Sequence, residues 1–353
     1  MKKLIKLLAT LLRPFSKQKV NNSKVVEINE NISDKDANLT NVIKVEKVGL
    51  TDDNFDDAET YFKMGNEKYS FKNYSGAIDD YSKAIELDPK YEKAYFTRGR
   101  AKYNNYDQIG AIEDYTKALE INPLSLDIYT VRGNARSGIK DYSGAIEDYT
   151  KVIEIDPSNS NAYLVRGNLK RNNKDYIGAI EDYSKVIEID PMNETAYYNR
   201  GYYLLFKLND YSRAIADFTL AIENTPFNNP MAYNNRGIAK YNTLDFNGAI
   251  ADFTKAIDTE TKMAGVSNDY NGDIVETYGE VDPENYYYRG LAKFQIHDYI
   301  GAIADFINTI DIQPEYTEAF LNRGNAELKL GNKEKANLDY QRVKELGFDV
   351  PEL

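Results

Sequence analysis

The sequence predicts an all-α fold, a solenoid of stacked helix hairpins. One landmark carries most of that prediction: an Arg-Gly pair recurs at Arg98, Arg132, Arg166 and Arg200, 34 residues apart each time, and a fixed period in this range marks a repeat architecture. Arg236 follows after 36 residues, Arg289 after 53 and Arg323 after 34, so small slips and one large insertion interrupt the period. The second observation is that each window holds two stretches with apolar residues at helical spacing, separated by a short turn containing Asn or Asp. One such hairpin cannot hide its apolar face alone, so the hairpins must stack.

Composition narrows the function classes. A repeat array buries its core between neighbours, so a length of 353 residues does not set a domain count. There is no cysteine, which excludes disulfides and thiolate metal sites. Formal net charge is −12, of which Lys2, Lys3, Lys6, Arg13, Lys17, Lys19 and Lys24 contribute +7 ahead of the first acid, Glu27, leaving −19 elsewhere. An acidic body is a poor match for nucleic-acid phosphate, whereas the basic start can be drawn to an anionic surface. No apolar run is long enough to span a bilayer.

Residues 1–20 read as a basic amphipathic helix. Leu4, Leu7, Leu8, Leu11 and Phe15 gather on one face and Lys2, Lys6, Arg13 and Lys17 on the other, with Pro14 placed to end the helix. Three roles fit. The first is an in-plane anchor on an anionic membrane, which gives a cytoplasmic protein peripheral to the membrane. The second is a secretory signal, although Lys6 breaks the apolar stretch and no small-x-small cleavage site precedes Asn21. The third is a helix that docks on the solenoid or on a partner. Residues 21–57 are mostly polar and read as a linker, at the end of which Asp56 or Asp57 can cap the first helix of the array.

Residues 160–193 serve for all the windows. Ala162 to about Arg171 form a first helix, Asn172 to Asp175 a turn, and Tyr176, Ala179, Ile180, Tyr183, Val186 and Ile187 the buried stripe of a second helix. Asp175 is positioned to cap that second helix and Asp190-Pro191 stops it, because proline cannot continue the hydrogen-bond ladder. The equivalent turn positions are Asn73, Asp107, Asp141, Asn209 or Asp210, Asp245, Asp298 and Asn332.

This pattern resembles the tetratricopeptide repeat family, whose small and aromatic signature positions are met by Tyr163, Gly167, Ala179, Tyr183 and Pro191. Eight repeats start at Ala58, Glu92, Leu126, Ser160, Glu194, Pro230, Pro283 and Thr317. Repeats one to five cover 58–229, repeat six 230–261, and repeats seven and eight, with a polar C-terminal cap, 283–353. The resemblance implies a right-handed superhelical solenoid of antiparallel helix pairs, whose first helices line a concave groove that commonly holds a peptide. The family's clamp for chaperone tails is not matched, since Phe62, Thr97 and Val131 occupy places it needs.

One departure from the family pattern is systematic. Arginine precedes the glycine in repeats two to eight, at Arg98, Arg132, Arg166, Arg200, Arg236, Arg289 and Arg323, with Met64 in repeat one. An aspartate stands before the second-helix aromatic in every repeat, at Asp80, Asp114, Asp148, Asp182, Asp217, Asp252, Asp305 and Asp339. A structural ladder follows in which each arginine pairs with the aspartate of the preceding repeat, because the one repeat without an arginine is the one without a predecessor. Pairing within a repeat is the rival.

Residues 262–282 form an acidic insertion. Asn271-Gly272 suits the turn of a small hairpin. Asp269, Asn271, Asp273 and Glu280 resemble a calcium loop in part, but Ile274 fills its glycine position, so no metal is expected.

If the family geometry holds, the peptide-binding candidates are Phe62, Asn66, Phe96, Arg100, Asn134, Asn168 and Arg171 in repeats one to four, and an aromatic stretch of Tyr198, Tyr202, Phe206, Tyr241, Tyr287, Tyr288 and Phe294 beyond them. Asparagines suit a peptide backbone, arginines its carboxylates and aromatics its apolar side chains. The single histidine, His297, sits in the turn of repeat seven with no nucleophile or phosphate loop nearby, so no catalytic residue and no cofactor are expected. The function that follows is a non-catalytic adaptor for a protein or peptide partner. The alternative is an exported assembly or chaperone-like factor with residues 1–20 as its signal.

Overall fold

The computed structural model describes residues 57–225, 229–263, 267–268, 274–275 and 281–350. The basic tail with Leu4, Leu7, Leu8, Leu11 and Phe15, the rest of the linker, and Asp269, Asn271, Asp273 and Glu280 lie outside the described residues. Sixteen helices and one pair of two-residue strands make up the regular structure of the described part, and each helix packs on the helices next to it in sequence. The first helices are Ala58–Ser70, Glu92–Asn104, Leu126–Gly138, Ser160–Asn172, Glu194–Leu208, Pro230–Asn242, Pro283–Gln295 and Thr317–Lys329. The second helices are Tyr74–Leu87, Gln108–Ile121, Tyr142–Ile155, Tyr176–Ile189, Tyr211–Asn224, Phe246–Met263, Tyr299–Ile312 and Lys333–Glu345. This is an all-α solenoid of paired helices.

Local chemistry explains each hairpin. The side chains of Asn73, Asp107, Asp141, Asp175, Asp210, Asp245 and Asp298 each accept a hydrogen bond from the backbone N–H three residues on, a cap worth about 1 kcal/mol. Asn332 makes no such cap; its amide donates to Glu327 Oε2 at 2.6 Å. Just before each capping position the chain turns left-handed, at Lys72, Tyr106, Lys140, Lys174, Asn209, Leu244, His297 and Gly331. Across the hairpin, the second-helix ring lies on the first-helix glycine: a Cβ on Gly167 would stand 2.9 Å from Tyr183 Cε1. The same ring, from Tyr81 and Tyr115 through Phe218, Phe253 and Phe306 to Tyr340, is buried in every repeat, as is the alanine four residues before it.

Between repeats the contact is apolar, and the two ends differ from the middle. Ala101, Ala135, Leu169, Tyr203, Ala239, Ala292 and Ala326 are buried against the preceding hairpin, whereas the matching residue of repeat one, Glu67, is exposed. At the other end Asn337 and Lys344 stand where Ile78 and Ile85 of repeat one face the next hairpin.

The arginine ladder corrects the expected pairing. Each arginine binds the aspartate of its own repeat in a two-pronged pair: Arg166 donates to Asp182 at 2.9 and 2.7 Å, and Arg98–Asp114, Arg132–Asp148, Arg200–Asp217, Arg236–Asp252, Arg289–Asp305 and Arg323–Asp339 repeat the arrangement. The link to the preceding repeat exists, but a hydroxyl makes it. The third guanidinium nitrogen donates to Ser82, Thr116, Thr150, Ser184, Thr219 or Thr254, at 3.0–3.1 Å. Helix geometry accounts for the exchange of roles: these hydroxyls lie two residues past the aspartate, about 200° round the helix. The aspartate therefore faces its own first helix while the hydroxyl faces the next one. Asp80, which has no arginine, lies 2.7 Å from the Lys68 ammonium.

A second cation completes most rungs, with Lys102, Arg136, Lys170, Lys240 and Lys293 within 2.8–3.1 Å of the same carboxylates. Each ladder guanidinium also lies 5.3–5.9 Å from the aromatic ring three residues before it, a cation–π contact.

The insertion starts later than its sequence boundary, because the second helix of repeat six continues to Met263 through Thr261 and Lys262. Ser267–Asn268 pairs antiparallel with Ile274–Val275, on either side of the Asn271-Gly272 position. Asp282 then caps the next helix by accepting from Glu284 N–H at 3.0 Å. At this junction the buried Asn285 replaces the alanine found at its place in most repeats. It accepts from Asn234 at 2.6 Å and donates to Glu260 Oε2 at 3.0 Å, and Asp282 N–H donates to the same oxygen at 3.1 Å. Burial pushes the Glu260 carboxyl above its usual range.

Candidate functional site

The first helices of neighbouring repeats meet along one face of the array. Asn104 donates to the Tyr69 hydroxyl at 2.7 Å, Asn235 to Tyr198 at 3.2 Å and Asn322 to Tyr287 at 3.1 Å, each bond joining two successive first helices. The binding candidates lie on these helices, and the structure sorts them into those committed to packing and those that are not.

In repeats one, three, four and eight the second-helix tyrosine reaches across its hairpin. Tyr81, Tyr149, Tyr183 and Tyr340 donate to Asn66, Asn134, Asn168 and Asn325 at 2.7–2.9 Å. The candidates Asn66, Asn134 and Asn168 therefore hold the hairpin with their carbonyls and keep an amide N–H₂ as donor. Burial pushes the Tyr149 phenol up to about 12, opposed by the Asn134 bond, so it is a donor at neutral pH. Where the ring is Phe218, Phe253 or Phe306, the asparagine position holds Tyr202, Ile238 or Leu291. The sequence itself carries that matching, asparagine only with tyrosine and no asparagine with phenylalanine.

Most of the expected aromatic stretch is packing. Tyr241 leans on Phe246 and Phe294 on Tyr299 with ring centres 5.5 and 5.3 Å apart. Tyr288 stacks on Phe253 at 5.9 Å, and Tyr287 sits between Phe306 and Tyr316. Tyr198 lies edge-on to Phe218. Phe62 packs on Tyr81 and Tyr91, and Phe96 on Tyr115. Tyr202 and Phe206 differ: they are 37% and 42% exposed, with ring centres 4.7 Å apart.

Two of the candidates are cations without a carboxylate. Among the described residues every arginine except Arg100 and Arg171 makes an ion pair. The Arg171 Nε donates to Asn172 at 3.3 Å. Arg100 lies 5.6 Å from the Tyr69 ring and 5.8 Å from the Phe96 ring. It lines a cavity of about 180 Å³ with Tyr69, Tyr103, Asn104, Tyr115, Val131 and Asn134. Burial pushes the Tyr115 phenol up and the Arg100 charge opposes it.

A wider, open cleft of about 610 Å³ lies on the edge between repeats one and two, lined by Asp57, Ala58, Glu59, Asp88, Tyr91, Glu92 and Lys93. Its Tyr91 hydroxyl already donates to Glu59. His297 lies in its turn with Nδ1 2.8 Å from the Tyr299 hydroxyl. No cluster among the described residues has the make-up to hold a metal ion, and no described helix is long and apolar enough to cross a membrane.

Comparison with known proteins agrees with this geometry. Family models described as TPR repeat and tetratricopeptide repeat match residues 65–105, 126–159, 148–181, 167–205 and 194–228. Among curated proteins none matches the chain. Among solved structures, the C-terminal part of a TPR repeat-containing protein from Cytophaga hutchinsonii is 18% identical with a TM-score of 0.58, covering 74% of this chain and 98% of its own. MamA is 25% identical with a TM-score of 0.44, covering 47% of this chain and 91% of its own. YrrB, described as a TPR protein with an unusual peptide-binding site, is 21% identical with a TM-score of 0.47, covering 56% and 92%. The stacked helix pairs of this chain are tetratricopeptide repeats, and the chain is a tetratricopeptide-repeat protein.

Proposed function

We propose that this protein is a non-catalytic scaffold that holds an extended segment of a partner protein along its first-helix face. Tetratricopeptide repeats generally mediate protein–protein interaction, and scaffolds built from them are generally non-catalytic. The observation that carries the reading for this chain is where uncommitted groups remain. The array neutralises its other described arginines internally, yet leaves Arg100 and Arg171 without a carboxylate on that face, together with the exposed Tyr202 and Phe206. Cations and exposed aromatics are the groups that anchor interfaces.

A photo-crosslinking amino acid placed in the native host at Asn134 or Tyr202 tests this, with Glu147, exposed on a second helix, as the comparison. Crosslinks from the first two positions and none from Glu147 are expected. Crosslinks from Glu147 with none from the face would refute it. The basic residues 1–20 support placement at an anionic membrane surface. Flotation with anionic vesicles that is as strong for a chain lacking residues 1–19 as for the intact chain would remove that placement, and a cleaved N-terminus in the native protein would favour the exported alternative.

A further inference from the structure

Repeat two departs from its neighbours in one place. In repeats one, three, four and eight the buried tyrosine hydroxyl donates to an asparagine carbonyl 15 residues back. Tyr115 holds the same station and is 2% exposed, but Arg100 stands where the asparagine would be. A guanidinium has five N–H donors and no acceptor. Two donors therefore line one cavity, and the Tyr115 hydroxyl has no hydrogen-bond partner among the described residues. What the cavity lacks is an acceptor.

Building on the first-helix-face reading, we infer that this cavity is a carboxylate-binding subsite and that its ligand is an internal Asp or Glu side chain of the bound segment. A carboxylate presents two acceptor oxygens in one plane, which matches the guanidinium fork. Its charge complements an arginine that has no other carboxylate. The rings of Tyr69 and Phe96 hold the guanidinium in place before any ligand arrives, so little ordering cost falls on binding. At about 180 Å³ the cavity has room for a side chain. Tyr69 on one side and Asn134 on the other belong to repeats one and three, so a peptide can continue past the site in both directions. An internal acid fits that setting better than a chain terminus.

The test uses two displayed libraries of peptides about a dozen residues long, one tethered through its C-terminus and one with that terminus free. Both are panned on the full chain, on Arg100→Asn and on Tyr115→Phe. Arg100→Asn recreates the Asn–Tyr pair of the neighbouring repeats, so its helical circular dichroism is expected to match the parent. The expected result is that the tethered library yields peptides sharing an Asp or Glu in fixed register. The best of them should weaken about 10- to 100-fold on Arg100→Asn, and equally when its acid becomes the amide. Tyr115→Phe should weaken it about two- to tenfold. An acidic preference that survives in Arg100→Asn, or that appears solely with the free terminus, overturns the inference. Peptides without an acid that bind parent and variant alike overturn it too, while leaving the scaffold reading intact. No enrichment from either library removes both.

Discussion

Replacing Asp182 leaves two cations, Arg166 and Lys170, facing each other with side chains 14% and 17% exposed. Removing one partner of a buried pair costs about 3–5 kcal/mol, and Asp182→Ala should fall toward the lower figure because water reaches part of both cations. Thr150→Val deletes one hydroxyl acceptor at 3.1 Å from Arg166 and keeps the shape, so about 1 kcal/mol is expected. Double-mutant cycles with Arg166→Met separate the two links. Coupling of about 2–3 kcal/mol to Asp182, about 1 to Thr150 and under about 0.5 to Asp148 is expected. Repeat arrays depart from two-state unfolding, so native-state hydrogen exchange in helices Ser160–Asn172 and Tyr176–Ile189 should be read beside urea unfolding followed by circular dichroism. Coupling of Arg166 to Asp148 that exceeds its coupling to Asp182, or none to Thr150, refutes the ladder as described. Repeat eight supplies the converse: Ile307 occupies the hydroxyl position, and Arg323 donates to Asp339 without a hydroxyl from repeat seven. Ile307→Thr should gain a coupling of about 1 kcal/mol that exists solely when Arg323 is present.

The left-handed turns give a second prediction. Gly331, at φ +83°, has nothing within 4 Å of where a Cβ would sit, so Gly331→Ala isolates the backbone term and should cost about 1 kcal/mol in urea unfolding. Lys174→Gly, at φ 65°, should stabilise by about 0.5–1 kcal/mol, since relief of left-handed strain outweighs the added chain entropy. No change in either variant would mean that the turn relaxes. A third prediction concerns pH. Burial holds the Glu260 carboxyl above its unfolded value, and Glu284 shifts the same way. Folding therefore takes up protons as pH falls from neutral into the ordinary carboxylate range, and stability rises in that window and is lost again as pH climbs through the folded values. Glu260→Gln keeps both acceptor bonds through its carbonyl and should flatten most of the dependence, leaving the share of Glu284. Hydrogen exchange of the helix Pro283–Gln295, corrected for intrinsic rates, reads it; an unchanged slope in the variant would contradict the assignment.

Much of the fold was legible because its signals are local and recur. Asp141 and Asp175 cap their helices for the reason that makes aspartate a capping residue anywhere, and Pro191 stops a helix without help from its surroundings. The ladder's partners were not legible in the same way. Arg98 lies 16 residues before Asp114 and 18 after Asp80, so spacing alone does not choose between them. The deciding signal was present, a serine or threonine two residues past the aspartate in repeats one to six with Ile307 in its place in repeat seven, but it takes helix geometry to give that residue a direction. Composition misled at the aromatic stretch. Tyr287 and Phe294 read as surface groups when one helix is considered by itself, and the neighbouring Tyr316 and Tyr299 that cover them come from other elements. The cavity at Arg100 lay between these cases: the arginine was visible as a binding candidate, while the hydroxyl stranded by its presence required the tyrosine fifteen residues on to be in view.

Glu67 at one end of the described array, and Asn337 with Lys344 at the other, put polar side chains where the inner repeats are apolar. The described residues thus form a ruler of eight graduations with polar marks at both ends. A hairpin brought up to either end would therefore meet polar side chains at stations that are apolar between the inner repeats.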